Sequence, residues 1–267
     1  MTQKLKIGVL ISGGGSNLQA ILDACEAGKI DGEVVFAGSD NPGAPGLERA
    51  RKKGVATFAV DYRAIIRKRR ADPESFRPPK EFDLEDALSR SALFPGGADR
   101  EKVEAFMLTR AVAEFGLLEN MGRYSFDVLA LAGFMRNLTP CFIDRVNPKE
   151  GLPRIMNIHP AILPAFPGVD GYGDTFRHGC KVGGCTVHFI DYGEDSGPII
   201  GQRAFPILPG DTLDEVKKKG LKLEWELYPE CVQLYAQRRL RVAENRWNAP
   251  DGVVKKRRVV EILPARE

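Results

Sequence analysis

"KIGVLISGGGSNLQAILDACEAGK", Lys6–Lys29, is the stretch on which the reading of the whole chain turns. Lys6–Ser12 is a short apolar run with the character of a strand. From Asn17 on, Leu18, Ile21, Leu22 and Cys25 recur at helical spacing. The glycine-rich "SGGGSN" (Ser12–Asn17) joins the two. The same alternation continues through "GEVVFAGS" (Gly32–Ser39), the charged helix "APGLERARKKG" (Ala44–Gly54) and "VATFAVDY" (Val55–Tyr62). Strand, helix, strand, helix, strand predicts an α/β fold with a parallel sheet covered by helices.

Regularity returns later. "FDVLALAGF" (Phe126–Phe134) is apolar enough for the centre of a sheet. "RIMNIHPAIL" (Arg154–Leu163), "GGCTVHFID" (Gly183–Asp191) and "PIIGQRAFPI" (Pro198–Ile207) read as further strands, and Thr212–Arg239 as a long helix. In between, Arg63–Gly122 breaks the pattern. Charge and proline dominate its start, and helical spacing appears only at Asp83–Ser89 and Asp99–Asn120. It reads as a surface insertion, longer than a crossover needs. The expected organisation is a single domain over residues 1–241 with an insertion at 63–122, then a hairpin tail over 242–267 turning at "NAPDG".

Composition narrows the function. The 267 residues carry 39 basic and 36 acidic side chains, a net charge of +3, which gives no electrostatic case for nucleic acid or membrane as the main partner. The basic runs Arg67–Arg70 and Lys255–Arg258 read as solvated surface. Five scattered cysteines (Cys25, Cys141, Cys180, Cys185, Cys231) fit neither a zinc site nor a disulfide framework. The start of the chain reads as a strand, not a signal peptide, and no apolar run approaches the ~20 residues of a membrane span. A cytoplasmic location is expected.

"SGGGSN" stands between a strand and a helix, where glycines let a ligand approach and a helix N-terminus offers free N–H groups to an anion. The dinucleotide fingerprint fails because Leu18 occupies its last glycine position, and no Gly-Lys-Ser/Thr follows for a triphosphate loop. The loop suits a phosphate monoester; a plain tight turn capped by Ser16 or Asn17 is the competing reading. In "MNIHPAILPAFPG" (Met156–Gly168), Asn157 and His159 share strand parity, and Pro160 stops the ladder. An amide beside an imidazole is equipped to stabilise a carbonyl oxygen that becomes negative while a proton moves. In "GCTVHFIDYGEDSGPII" (Gly184–Ile200), Asp195 is the candidate carboxylate to raise the pKa of His159, with Asp191 and Glu194 as rivals.

These blocks, with "DVLALAGFMRNLTP" and "ELYP", occur in an order that resembles the phosphoribosylglycinamide formyltransferases over most of Lys6–Arg241. The resemblance implies a formyltransferase-type, Rossmann-like open α/β sheet, parallel in its N-terminal half and mixed in its C-terminal half, with helices on both faces. It implies formyl transfer from 10-formyltetrahydrofolate, a co-substrate, to the amine of phosphoribosylglycinamide, with no metal. It implies that Asn157, His159 and Asp195 are catalytic and that Gly15, Ser16, Asn17 and Glu224 bind phosphoribosylglycinamide. It also implies that Met135, Arg136, Asn137, Leu138 and Asn157 line the folate pocket with the loop Asp191–Asp195, and that Arg100 in "DREKVEAF" matches the folate-contacting arginine. Both partners are then small molecules, not nucleic acid or membrane, and monomer and homodimer stay open.

The sequence departs from this pattern at Ala161, where the family usually has Ser, at Leu221 and Trp225 beside Glu224, and in the glycine-rich "VDGYGDTFRHG" (Val169–Gly179), which lacks the usual helix-forming pattern. His178 in that segment reads as surface. Competing activities on the same fold are formyltetrahydrofolate hydrolysis, for which Asn-x-His-His in place of Asn-x-His-Pro is expected, and formyl transfer to a sugar nucleotide. Methionyl-tRNA formyltransferases typically have Arg-Trp-Arg-Gly where this chain has "AFPG". Two of these rivals also differ in layout: the hydrolase is expected to carry an extra N-terminal domain, and the tRNA enzyme a C-terminal one. A non-catalytic binder of phosphate ligands is the alternative from another class.

Overall fold

A computed structural model describes residues 4–94 and 96–265. Met1–Gln3 and Arg266–Glu267, the two ends of the predicted organisation, lie outside the described residues, as does Pro95. The order is β1 (Leu5–Ile11), α1 (Ser16–Glu26), β2 (Gly32–Ser39), α2 (Gly46–Lys52), β3 (Ala56–Ala59), α3 (Tyr62–Ala71), α4 (Leu84–Arg90), α5 (Arg100–Met121) and β4 (Val128–Leu131). There follow α6 (Pro140–Val146), β5 (Ile155–His159), α7 (Gly171–Arg177), β6 (Val182–Phe189), β7 (Ile199–Pro206), α8 (Leu213–Ala236), β8 (Leu240–Asn248) and β9 (Val254–Ile262).

The main sheet runs β3-β2-β1-β4-β5-β6-β7. Its neighbours are parallel from β3 to β5, and β6 and β7 are antiparallel additions. This is the half-parallel, half-mixed sheet expected. The period of two in each strand explains the layers. Ile7, Val9, Ile11, Val128 and Ala130 face one core that includes α1 and α8, while Leu10, Leu129 and Leu131 face a second core that includes α5 and α6. β8 and β9 pair only with each other, in a two-stranded antiparallel sheet.

Two local expectations are corrected. The charged stretch after Arg63 is helical: Asp61 caps α3 by accepting from the Ala64 N–H, and buried Tyr62 anchors it. Its charges had hidden a helix whose buried contacts are few. The glycine-rich segment also forms a helix, α7. Arg177 bridges Asp170 at 2.9 Å and Asp174 at 2.7 Å, and the Thr175 hydroxyl donates to the Gly171 carbonyl. The segment Arg63–Gly122 is not surface alone, since Phe82, Ala87, Met107 and Ala111 make a small core of their own.

α8 is tied to the sheet by buried Tyr228, whose hydroxyl lies 2.8 Å from the Met156 carbonyl and 3.2 Å from that of Leu131. The Leu131 carbonyl stands at the carboxyl end of β4, and that of Met156 near the start of the neighbouring β5. Tyr228→Phe leaves them without that donor and is expected to cost about 1–2 kcal/mol; urea unfolding of the purified variant checks it.

Candidate active site

"SGGGSN" forms the turn from β1 into α1. Gly15 is the residue before the helix, with φ of 69°, and no side chain caps it. The competing reading, a turn capped by Ser16 or Asn17, is not what forms: both lie inside the helix. A Cβ on Gly15 would stand 2.8 Å from the Gly46 Cα, so only glycine fits both the backbone and the approach of α2. The uncapped first turn leaves N–H groups facing outward, the arrangement that receives an anion.

That loop lines a cavity of about 520 Å³ together with Tyr172, Lys217, Leu221 and Glu224. Glu224 is buried, and both of its oxygens are held: one accepts from Asn17 Nδ2 at 2.7 Å, the other from the Tyr172 hydroxyl at 2.6 Å. Burial pushes the Glu224 carboxyl above its ordinary value, against those two hydrogen bonds. Tyr172 reaches Glu224 across Gly220, where a Cβ would overlap its ring. Gly220 and the atypical α7 are thus fitted to one another. Ala161 is fully buried beside Gly171, and Trp225 is exposed.

A second cavity, of about 280 Å³, adjoins the first. Both are lined by Gly133, Met135, Ile158, Pro160 and Val169. Met135–Leu138 form one wall of the second cavity, and Asp191, Gly193, Glu194 and Asp195 another. The walls are cross-braced: Arg136 Nε donates to Asp40 at 2.5 Å, Asn137 Nδ2 to Glu194 at 3.2 Å, and the Met135 N–H to the Ser12 hydroxyl at 2.8 Å. The last bond ties this wall to the glycine loop of the other chamber.

Asn157 and His159 line the second cavity on either side of Ile158, which lines both. In the β5–β6 register, Asn157 opposes His188 and His159 opposes Thr186. Asn157 Nδ2 lies 3.2 Å from His188 Nε2. His188 Nδ1 lies 2.9 Å from the Phe189 carbonyl oxygen, and its Nε2 faces both the Asn157 amide and Asp195. His159 is buried; its Nδ1 lies 3.1 Å from Asp195 Oδ2 and its Nε2 2.8 Å from the Phe166 carbonyl oxygen. Asp195 also accepts from the Gly168 N–H at 2.8 Å, and its other oxygen lies 3.5 Å from His188 Nε2. Phe166 and Asp195, the two residues facing the His159 ring, both have positive φ, of 55° and 48°. Such strain in non-glycine residues collects at functional sites.

The expected rise in the His159 pKa is corrected. Burial lowers it and outweighs the pull of Asp195 and the Phe166 carbonyl. Yet both ring nitrogens face oxygen acceptors, and only the imidazolium donates to both. The resting site therefore favours the neutral ring while its geometry is built for the charged one. Burial would raise the Asp195 carboxyl, but the hydrogen bond with His188, the charge of His159 and the Gly168 N–H hold it below its ordinary value.

Arg100 does not reach this cavity. It is exposed at the start of α5 and bound to Glu85 at 2.8 Å and Glu104 at 2.6 Å. Ten residues on, Arg110 is buried and lines the cavity. Its guanidinium lies over the rings of Tyr62 and Phe106, and burial holds its pKa below the usual value. Its charge in the largely apolar helix stretch "FMLTRAVAEF", which also holds Glu114, was the available signal. His188, Tyr172 and Lys217 are the other residues that the sequence reading did not bring to the site. Among the described residues no group of three or more His, Cys, Asp or Glu is arranged to hold a metal ion, and no helix is long and apolar enough to cross a membrane.

The formyl transferase family profile matches residues 5–232. The phosphoribosylglycinamide formyltransferase of Escherichia coli is 34% identical over 90% of this chain and 92% of its own length. That of Bacillus subtilis is 31% identical over 85% and 93%. Glycinamide ribonucleotide transformylase 1 from Symbiobacterium toebii superposes with a TM-score of 0.72 at 35% identity, covering 98% of this chain and 95% of that one. The chain belongs to the formyl transferase family, and within it to the phosphoribosylglycinamide formyltransferases.

Glu114, on α5, is fully buried and accepts from both the N–H and the hydroxyl of Thr139, the cap of α6 that follows the Met135–Leu138 wall. Burial pushes its carboxyl up to about 7, from an ordinary 4.5. The folded state then holds a proton that the unfolded chain releases. Its contribution to stability is complete below about pH 4.5 and is lost as pH rises through about 7. Glu114→Gln is expected to flatten this part of the stability–pH curve, measured by denaturant unfolding from pH 4.5 to 8.

Proposed function

We propose that the chain transfers the formyl group of 10-formyltetrahydrofolate to the amine of phosphoribosylglycinamide, a step of de novo purine biosynthesis. The observation that carries this reading is the meeting of Asn157, His159 and Asp195 in a chamber that shares Gly133, Met135, Ile158, Pro160 and Val169 with the chamber behind the glycine loop. One chamber has the glycine loop and suits a phosphorylated ribose; the other has Met135–Leu138, Asp195 and Arg110 and suits the folate. A reaction between two bound molecules needs such an arrangement, because holding both in place removes most of the entropic barrier.

The neutral amine attacks the formyl carbon. A C–N bond forms, and the carbonyl electron pair moves to the oxygen. Asn157 and His159 stabilise that oxyanion; the His159 ring takes up the proton that the attacking amine gives up and returns it to the folate nitrogen on collapse, with Nε2 leaving the Phe166 carbonyl to face the oxyanion. Asp195 holds the ring in register and balances its charge. When the tetrahedral intermediate collapses, the bond to folate nitrogen breaks. The amine loses a proton, and the folate nitrogen gains one. Arg110 pairs with an acidic group of the folate. With this reading go a cytoplasmic location and small-molecule partners.

The activity test is formation of tetrahydrofolate from 10-formyltetrahydrofolate with and without phosphoribosylglycinamide. Formation only with the amine is expected; equal formation without it would make the chain a hydrolase, and none would leave a binder or another acceptor. His159→Ala and Asp195→Asn are each expected to lower kcat by about 10²–10³-fold with unfolding midpoints near that of the wild type; near-normal turnover would sink the assigned role. Arg110→Gln is expected to raise KM for the folate about tenfold while leaving KM for phosphoribosylglycinamide unchanged, as read from initial rates at varied concentrations of each.

A further inference from the structure

The chamber behind the glycine loop has an uneven charge for a site that receives a phosphate. Among the described residues lining it, Asp170 and Glu224 are acids and Lys217 is the single base. Backbone N–H groups of the loop supply dipoles but no net charge. A phosphate monoester brings up to two negative charges into a space that already holds two carboxylates. Asp170 is answered by Arg177, at 2.9 Å, on its own helix. Glu224 is held by Asn17 and Tyr172, both neutral. Of the residues lining the chamber, Lys217, which also acts on Asp170, is the one that can offer the ligand a positive charge.

Its position fits that task. Lys217, Leu221 and Glu224 are spaced by four and three residues along α8, which puts them on one helical face, and all three line the chamber. Glu224 is bonded to the first turn of α1, so the face is docked against the glycine loop. Lys217 is half-buried, and among the described residues it forms no ion pair or hydrogen bond. Lys219, two residues on, is already bound to Asp211 at 2.5 Å. The family resemblance leads one to expect a polar contact at Leu221, and leucine supplies none. One turn earlier on the same face stands a lysine on a flexible four-carbon stem.

We propose that Lys217 is the phosphate-pairing, specificity-determining residue of this chain, displaced one helical turn from the apolar Leu221. This rests on the proposed function for the identity of the substrate, and on the chamber alone for its phosphate.

The test compares wild type, Lys217→Met and Lys217→Arg, with circular dichroism to establish that each is folded. In initial-rate kinetics, Lys217→Met is expected to raise KM for phosphoribosylglycinamide about tenfold or more, with kcat within about twofold, KM for the folate unchanged, and most of the loss recovered in Lys217→Arg. Calorimetric titration with ribose 5-phosphate reads the same contact without formyl transfer. The wild type is expected to bind it at least about tenfold more tightly than Lys217→Met, with the difference shrinking as salt is raised. Equal affinity of the two folded proteins for ribose 5-phosphate, or no binding to either, overturns the inference. Lys217-dependent binding without formyl transfer to the amine overturns the proposed function and leaves the inference standing.

Discussion

One carboxylate holds the candidate site together. Asp195 faces His159 at 3.1 Å and His188 at 3.5 Å, and accepts from the Gly168 N–H at 2.8 Å. It thereby joins three pieces of chain: the end of β5, the proline-rich exit after it and the loop between β6 and β7. Each contact depends on the antiparallel β5–β6 register, because a slip of one residue turns Asn157 and His159 to the opposite face. Thr186 secures that register at the strand's end. It donates to the Ala161 carbonyl at 2.7 Å and accepts from the Leu163 N–H at 3.0 Å, and Gln202 bonds both the Thr186 hydroxyl and the Leu163 carbonyl.

Burial and pairing work against each other around the imidazole, and that opposition suits the proposed chemistry. A ring in water would charge near its ordinary pKa whatever the substrate did. Here burial keeps the proton off until negative charge develops beside it, while two oxygen acceptors already stand where the charged ring donates. The two chambers divide the remaining electrostatics. Arg110 is the buried cation on one side of the junction and Lys217 the half-buried one on the other.

The departures at Ala161 and in the glycine-rich segment form one connected change with Gly220. Gly171 has no Cβ to strike the Pro160 carbonyl and Ala161, and Gly220 leaves room for the Tyr172 ring. The ring then carries its hydroxyl to Glu224. Read singly in the sequence these residues look like losses of recognition. In the fold they are a repacked wall that fixes Glu224 by a tyrosine.

The sequence by itself determined the strands, most of the helices, the half-parallel sheet and the parity of Asn157 and His159. Periods of 2 and 3.6 residues and the turn chemistry of glycine and proline are local properties, written in neighbouring residues. It did not reveal α3 and α7, whose apolar spacing is thin because ion pairs, caps and close glycine contacts do the work. Only the tertiary structure decided that Asp195 meets His159 across 36 residues, that Arg110 and not Arg100 enters the chamber lined by Met135–Leu138, and that Lys217 stands behind the glycine loop. Those are through-space facts. They follow from how strands register and helices dock, and burial then sets the direction of the His159 pKa, which no count of neighbouring charges along the chain would have given.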